Sequence, residues 1–257
     1  MPRHIEAYIN GVALTDAVPR ALIQQVQQEA AETDLTTADH ALGDGLTLVE
    51  RRRTRLTVAV EFALAELFDL PARAAMQQEA AAWAQDGVLR LSDHPGQHLN
   101  VICTKRPALG ETRSYTTVLR AEFAAIAPPY WQDDTYVTVT DSGESGAVAL
   151  RPTGTADKLP LEAEITPTGG TLDELEITCE GTAFALSGLN VPQGTPLVIG
   201  YDSRGHLAIT AGGNGKLRCR SAQSSDRLLA TPGLYNTITY QADTECDCIF
   251  KTRGLYV

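Results

Sequence analysis

The chain closes on TECDCIFKTRGLYV, residues 244–257, and the Cys246-x-Cys248 pair in it admits three readings with three different folds behind them. Two thiols at this spacing are half of a metal site, part of a disulfide framework, or two inward residues of a β-strand. On an extended chain Cys246, Cys248 and Phe250 share one face, while Asp247, Ile249 and Lys251 take the other. A metal needs two more soft ligands, and Cys219 in LRCRS is the only nearby candidate by strand order. A bridge between same-face neighbours on an extended chain is strained. Buried thiols on the closing strand of a sandwich are the favoured reading.

The sequence upstream has the same grammar. From Tyr136 onward, Gly and Pro recur every eight to twelve residues between ten short runs: TYVTVT, AVAL, LEAEITP, LDELEITCE, TAFALSGL, PLVIGYD, HLAITA, KLRCRS, YNTITYQA and CDCIFKT. Short alternating runs at that spacing predict an antiparallel β-sandwich. DSRG and GGNG read as hairpin tips, where glycine or asparagine supplies positive φ, and TDSGESG (residues 140–146) reads as a flexible β-turn.

The first half adds one helix. In RLTVAVEFALAEL, Leu56, Val58, Val60 and Phe62 alternate with Thr57, Ala59 and Glu61, which is a strand feeding a helix. Asp69 and Pro71 open that helix over about residues 71–85, and Gly87 stops it. Its apolar positions, Ala72, Ala75, Met76, Ala80 and Trp83, recur at three and four, leaving Gln77, Gln78 and Gln85 outside. HPGQ then turns the chain between the runs Val88–Leu91 and Leu99–Thr104, and Tyr115–Ala124 alternates again, so a meander packs on the helix. In RALIQQVQQEAAETDL, propensity leans toward a helix, although LIQQV also suits a strand. PPYWQDD cannot continue a regular ladder and sets a domain boundary near residues 128–135.

Composition narrows the function. The net charge is -11, with 12 basic and 17 acidic residues up to Asp133 and 9 and 15 beyond it, so neither half is built to neutralise a phosphate backbone. No apolar stretch approaches the roughly 18 residues of a membrane span, and the start MPRHIEAYINGVAL is too polar for a secretory signal. Five cysteines, odd in number and scattered, are expected as reduced thiols, with cytoplasmic synthesis as the default.

A search for chemistry finds no catalytic constellation. His94 and His98 have a His-x3-His spacing, but Pro95 and Gly96 break the helix that a zinc pair would need. Ser142 lacks the helix behind a nucleophile elbow, and GGNGK lacks the trailing Ser or Thr of a phosphate loop. Asp133 with Asp134, or Glu174 with Glu176, are acid–base pairs only if a fold brings two carboxylates across one bond. No metal and no cofactor is expected. Trp83 reads as core, and Trp131 as packing between domains rather than as a sugar platform. The ERRRTR run, with Arg51, Arg52, Arg53 and Arg55, has two readings: inter-subunit salt bridges, or a solvated strand edge.

The order of these features resembles the distal tail proteins of long-tailed bacteriophages and prophage-derived particles. The matching residues are RRRTRLTVAVEFAL, then Asp69 and Arg73, the helix ending in Trp83, the strands around GVLRLSD and NVICTKR, and PPYW; LNVPQGTPLVIGYDSRGHLAI and LLATPGLYNTITYQADTECDCIFKTRGLYV continue the pattern. The resemblance runs from about residue 5 to the end, and it is specific by order rather than by any invariant signature. It implies a mainly β protein with a ring-forming, β-rich N-terminal domain over 1–133, carrying one helix, and a galectin-like antiparallel β-sandwich over 134–257. It implies a structural virion protein and not an enzyme: a homohexamer joining the tail tube protein to the tail-tip or tail-associated hub protein, with receptor-binding proteins beyond. It places the chain in the virion tail after assembly in the host cytoplasm, with no membrane insertion and no specific nucleic-acid contact. It also implies that ALIQQVQQEAAETDL is extended. The alternative reading is a carbohydrate-binding β-sandwich that contacts host-surface glycans through Tyr201, His206 and Tyr235. The second half lacks the aromatic cluster such a site calls for.

Overall fold

A computed structural model describes residues 5–29, 32–39, 46–64, 70–108, 117–202, 206–222 and 224–257. The chain is mainly β and divides into two compact units, Met1–Trp131 with Val257, and Gln132–Tyr256.

The first unit contains strands β1 (Ala7–Ile9), β2 (Val12–Ala13), β3 (Ala21–Gln28), β4 (Glu32–Asp39), β5 (Leu46–Leu64), β6 (Gly87–Leu91), β7 (Gln97–Lys105) and β8 (Thr117–Ala125), with helices α1 (Leu14–Ala17) and α2 (Leu70–Trp83). β9 (Trp131–Asp133) begins at its last residue. The strands run antiparallel in the order β2-β1-β6-β7-β8-β5-β3, with β4 on β5. Asn10 and Gly11, both at positive φ, make the tight β1–β2 turn. The alternation of β5 does what its sequence says. Val58, Val60 and Phe62 are fully buried opposite Phe123, Ala121 and Leu119 of β8. β6, β7 and β8 form the meander.

Two expectations change here, and one is met. α1 is a second helix, four residues long. On α2 the buried stripe is Arg73, Ala80, Trp83 and Ala84, while Ala75 is exposed and Ala72 and Met76 are half-buried. The stripe is rotated because Trp83 fixes it: the ring stands edge-on to Phe123 at 5.9 Å and its N–H donates to the Val12 carbonyl at 3.0 Å. Within RALIQQVQQEAAETDL, residues 21–28 and 32–35 are extended, in β3 and β4, as the resemblance implies and against helical propensity; strand pairing with β5 outweighs a preference of a few tenths of a kcal/mol per residue. Asp69 lies outside the described residues.

The second unit contains β10 (Val137–Leu150), β11 (Leu159–Pro160), β12 (Glu162–Pro167), β13 (Leu172–Cys179), β14 (Thr182–Val191), β15 (Leu197–Tyr201), β16 (Leu207–Ala211), β17 (Asn214–Gly215), β18 (Leu229–Ala230), β19 (Asn236–Thr252) and β20 (Leu255–Tyr256). Its main antiparallel sheet has eight strands and forks along β19, and β11 and β18 form a separate two-stranded sheet. β10 pairs with residues 236–241 and 246–252 along one edge of β19; on the other edge β13 takes residues 238–242 and β12 takes residues 246–251. β14 continues from β13, and β15, β16 and β17 continue from β12, so the curled sheet closes over its own core.

The expected strand count falls because two pairs of runs merge. YNTITYQA and CDCIFKT are one strand, β19, whose even-numbered residues face inward throughout. TYVTVT and AVAL are likewise one strand, β10, and TDSGESG is not a turn but a stretch of it with a bulge between Gly143 and Ser145. Glycine is required at Gly146, where a Cβ would run into the Asp141 carboxylate and lie 2.7 Å from Cε1 of the Tyr240 ring. KLRCRS is a 3-10 turn, Leu217–Cys219, rather than a strand.

Candidate functional site

The length of β5 creates the most distinctive surface of the first unit. Residues 56–64 sit inside the sheet between β8 and β3, but Leu46–Arg55 pair with β4 alone among the described residues. The result is a two-stranded ribbon. Thr33–Thr37 of β4 are all exposed, Leu35 by 60 %. Glu32 lies opposite Arg55, Thr33 opposite Arg53, Asp34 opposite Arg52 and Leu35 opposite Arg51, with register shifts at Glu32/Thr33 and Thr36/Thr37. All four arginines singled out in the sequence are therefore on this ribbon. The side chains of Arg51 and Arg52 lie outside the described residues; Arg55 is exposed and Arg53 half-buried.

The root of the ribbon is pinned by residues from three separate motifs. The Arg53 guanidinium lies 5.5 Å above the Tyr130 ring. Beside Tyr130, the buried Trp131 indole donates to Gln28 Oε1 at 3.2 Å and stacks on His94 at 4.2 Å with an interplanar angle of 4°. Both of these Trp131 partners, Gln28 and His94, belong to the first unit. His94, the first histidine of HPGQH, is a stacking residue, and His98 is buried. Next to this cluster a charged row crosses the sheet. Arg120 reaches Glu61 and Glu122 at 2.9 Å each and Gln27 at 3.3 Å, and Lys105 follows at 3.6 Å from Glu122.

In the second unit, Cys246 and Cys248 face the core with Phe250, as the alternation of the last strand requires. Burial pushes both thiols up, Cys246 to about 11 and Cys248 to about 12, so they remain protonated and unreactive at neutral pH. Among the described residues no group of three or more His, Cys, Asp or Glu is placed to hold a metal. Cys219 donates to the Gly188 carbonyl at 3.3 Å.

The three candidate sugar contacts fall in two places. Tyr201 and His206 flank one hairpin, in which Asp202 N–H donates to the His206 carbonyl. The Tyr201 hydroxyl is engaged with the Leu228 carbonyl at 3.1 Å, and burial raises it to about 12. His206 is exposed, its backbone N–H bonded to Asp202 Oδ1 at 2.9 Å. The remaining three residues of that tip, 203–205, lie outside the described residues. Tyr235 is elsewhere, at the start of β19, 71 % exposed with the Arg151 guanidinium 5.4 Å from its ring centre.

The residue that organises this second place escaped sequence reasoning. Asn236, in the run YNTITYQA, is fully buried. Its Oδ1 accepts from Thr231 N–H at 2.6 Å, and its Nδ2 donates to the carbonyls of Thr231 and Leu234, both at 2.9 Å, and of Leu150 at 3.4 Å. Arg151 Nε adds a bond to the Gly233 carbonyl at 3.0 Å. A rigid loop thus holds Leu234 and Tyr235 out in solvent. The signal was the Pro-Gly turn placed just ahead of an asparagine.

No protein-family model matches the sequence, and no curated protein matches it. Among solved structures, the chain is similar to the SPP1 Dit protein (gp 19.1), described as a paradigm of the hub adsorption apparatus in phages infecting Gram-positive bacteria. The TM-score is 0.70 at 12% identity, covering 98% of this chain and 99% of that one. A chain of the phage P2 baseplate in its activated conformation with Ca aligns over 99% of this chain and 98% of its own, at TM-score 0.46 and 11% identity. Over nearly its whole length, then, the chain has the fold of a phage hub protein.

Proposed function

We propose that the chain is a structural hub of a bacteriophage tail, acting without catalysis. Six copies close into a ring through the first unit, and the second unit is galectin-like. The ring connects the tail tube to tail-tip or baseplate proteins in the virion, after assembly in the host cytoplasm. Whole-length likeness in fold to the SPP1 hub protein supports the class of function. The observation that carries ring formation is the β4–β5 ribbon. An isolated two-stranded ribbon is marginal in water, so one this long calls for a partner surface. Arginine is suited to bidentate pairing with acidic groups of a neighbouring subunit, and a chain of net charge -11 offers many. The same acidity suits a lumen through which DNA passes without being held.

Native mass spectrometry of the purified protein tests this, with the charge reversal Arg52→Glu/Arg55→Glu as the control. A hexamer that the double variant dissociates supports the ribbon as the interface; an unchanged oligomer in the variant removes the arginines from it. The sugar-binding reading retains one specific observation, the exposed and rigidly held Tyr235. Glycan-array binding lost in Tyr235→Ala supports it, and an empty array leaves the second unit purely architectural.

A further inference from the structure

Two edge strands of the second unit, β14 and β10, are treated differently. At one end of the sheet the outer edge of β14 is covered by residues 216–222 and 224–225. Ser221 and Ser225 N–H groups donate to the carbonyls of Ala185 and Ala183, and Ala185 N–H donates to Ser224 Oγ at 3.1 Å. Lys216 Nζ donates to the Leu189 carbonyl at 2.7 Å. Such cover is how proteins blunt an exposed row of backbone donors and acceptors.

β10 has no such cover. It pairs with β19 along one edge, and no other strand pairs with it among the described residues. It is fourteen residues long, and Val137–Leu150 contains no lysine, arginine or proline, the residues that usually guard an edge. Apart from Glu144, its exposed side chains are small: Thr138, Thr140, Ser142, Ser145, Ala147 and Ala149. The one interruption is the bulge at Gly143/Ser145, which leaves a run of extended backbone on either side. What satisfies an open row of N–H and C=O groups is another extended chain.

Charge narrows the occupant. The only ionisable residues of β10 are Asp141 and Glu144, and across the bulge β19 adds Asp243, Glu245 and Asp247. A second copy pairing antiparallel about the bulge would set Asp141 of one copy near Glu144 of the other, and like charges directly opposite are destabilising. We propose that the open edge of β10 is a strand-addition site for an extended segment of a different protein, one that carries lysine or arginine opposite Asp141 and Glu144. Backbone hydrogen bonds supply the affinity, and the basic residue fixes the register. This inference is independent of how the first unit assembles.

The test is hydrogen exchange on the full chain with two nine-residue probes, Thr-Thr-Val-Lys-Val-Lys-Val-Thr-Thr and its counterpart with glutamate for lysine. The lysine probe is expected to slow exchange within residues 137–150 and to bind roughly three- to tenfold tighter than the glutamate probe. Glu144→Lys, an exposed substitution checked by an unchanged melting temperature, is expected to reverse that order. No protection of residues 137–150 overturns strand addition. Equal binding of both probes overturns the basic partner. A concentration-dependent dimer of the chain alone, lost in Glu144→Lys, assigns the edge to a second copy and overturns the proposal.

Discussion

Replacing Asn236 with alanine removes the carboxamide that organises the loop ahead of the last long strand. Four backbone groups lose their partner: Thr231 N–H and the carbonyls of Thr231, Leu234 and Leu150. The site is fully buried, so water replaces these bonds poorly. A net hydrogen bond contributes about 1 kcal/mol, and a buried group left unsatisfied costs about 1–3 kcal/mol. The carbonyls at 2.9 Å and the N–H at 2.6 Å dominate, and part of the loop relaxes toward solvent, so the expected loss is about 3 kcal/mol. Urea unfolding reads this unit by unit, because both tryptophans, Trp83 and Trp131, lie in the first. With an m-value of about 2 kcal/mol per M, the far-UV transition of the second unit should fall by about 1.5 M. The tryptophan-fluorescence transition should stay where it was. A shift below about 0.3 M in the second unit would show that the loop does not depend on Asn236 and would refute the reasoning.

Gly146→Ala forces a Cβ against Asp141 and the Tyr240 ring, and because the ring is fixed in the core the variant should lose about 1–3 kcal/mol, read as a lower melting temperature of the second unit. Stability should fall with alkaline pH. Cys246, Cys248 and Tyr201 hold their protons in the folded chain up to about 11, 12 and 12, while the unfolded chain releases them from about 9 for the thiols and 10 for the phenol. The stabilisation is therefore complete below pH 9 and is lost between there and pH 12, and a urea midpoint that is flat across that window contradicts the burial of these groups. His94→Ala removes the ring stacked on Trp131; the loss of about 1 kcal/mol should speed amide exchange in residues 53–57, at the ribbon root, by roughly fivefold, with α2 unaffected.

Much of this was legible where one periodicity ran unbroken. Val58, Val60 and Phe62 announced the central strand of the first unit, and Cys246, Cys248 and Phe250 the inward face of the last long one. Legibility failed where local composition hid a continuous strand. Residues 243–245 are polar because no strand is in register with them where the sheet forks, and they looked like a boundary between two strands. Gly143 and Gly146 looked like a turn because a bulge and a close ring demand the same residue type as a turn. For β3 and β4, resemblance by order of motifs succeeded where helix propensity pointed the other way. At the ribbon, the four arginines were visible, but their setting was not. The contacts Gln28–Trp131, His94–Trp131 and Arg53–Tyr130 join residues far apart in sequence, and no periodicity records such pairs.

The hub account is tested most directly by averaged electron-microscope images of the purified protein at high micromolar concentration. The account expects a sixfold annulus, with a mass about six times the 27.6 kDa of one chain. A strict monomer at that concentration, or a closed ring of any other order, would contradict it.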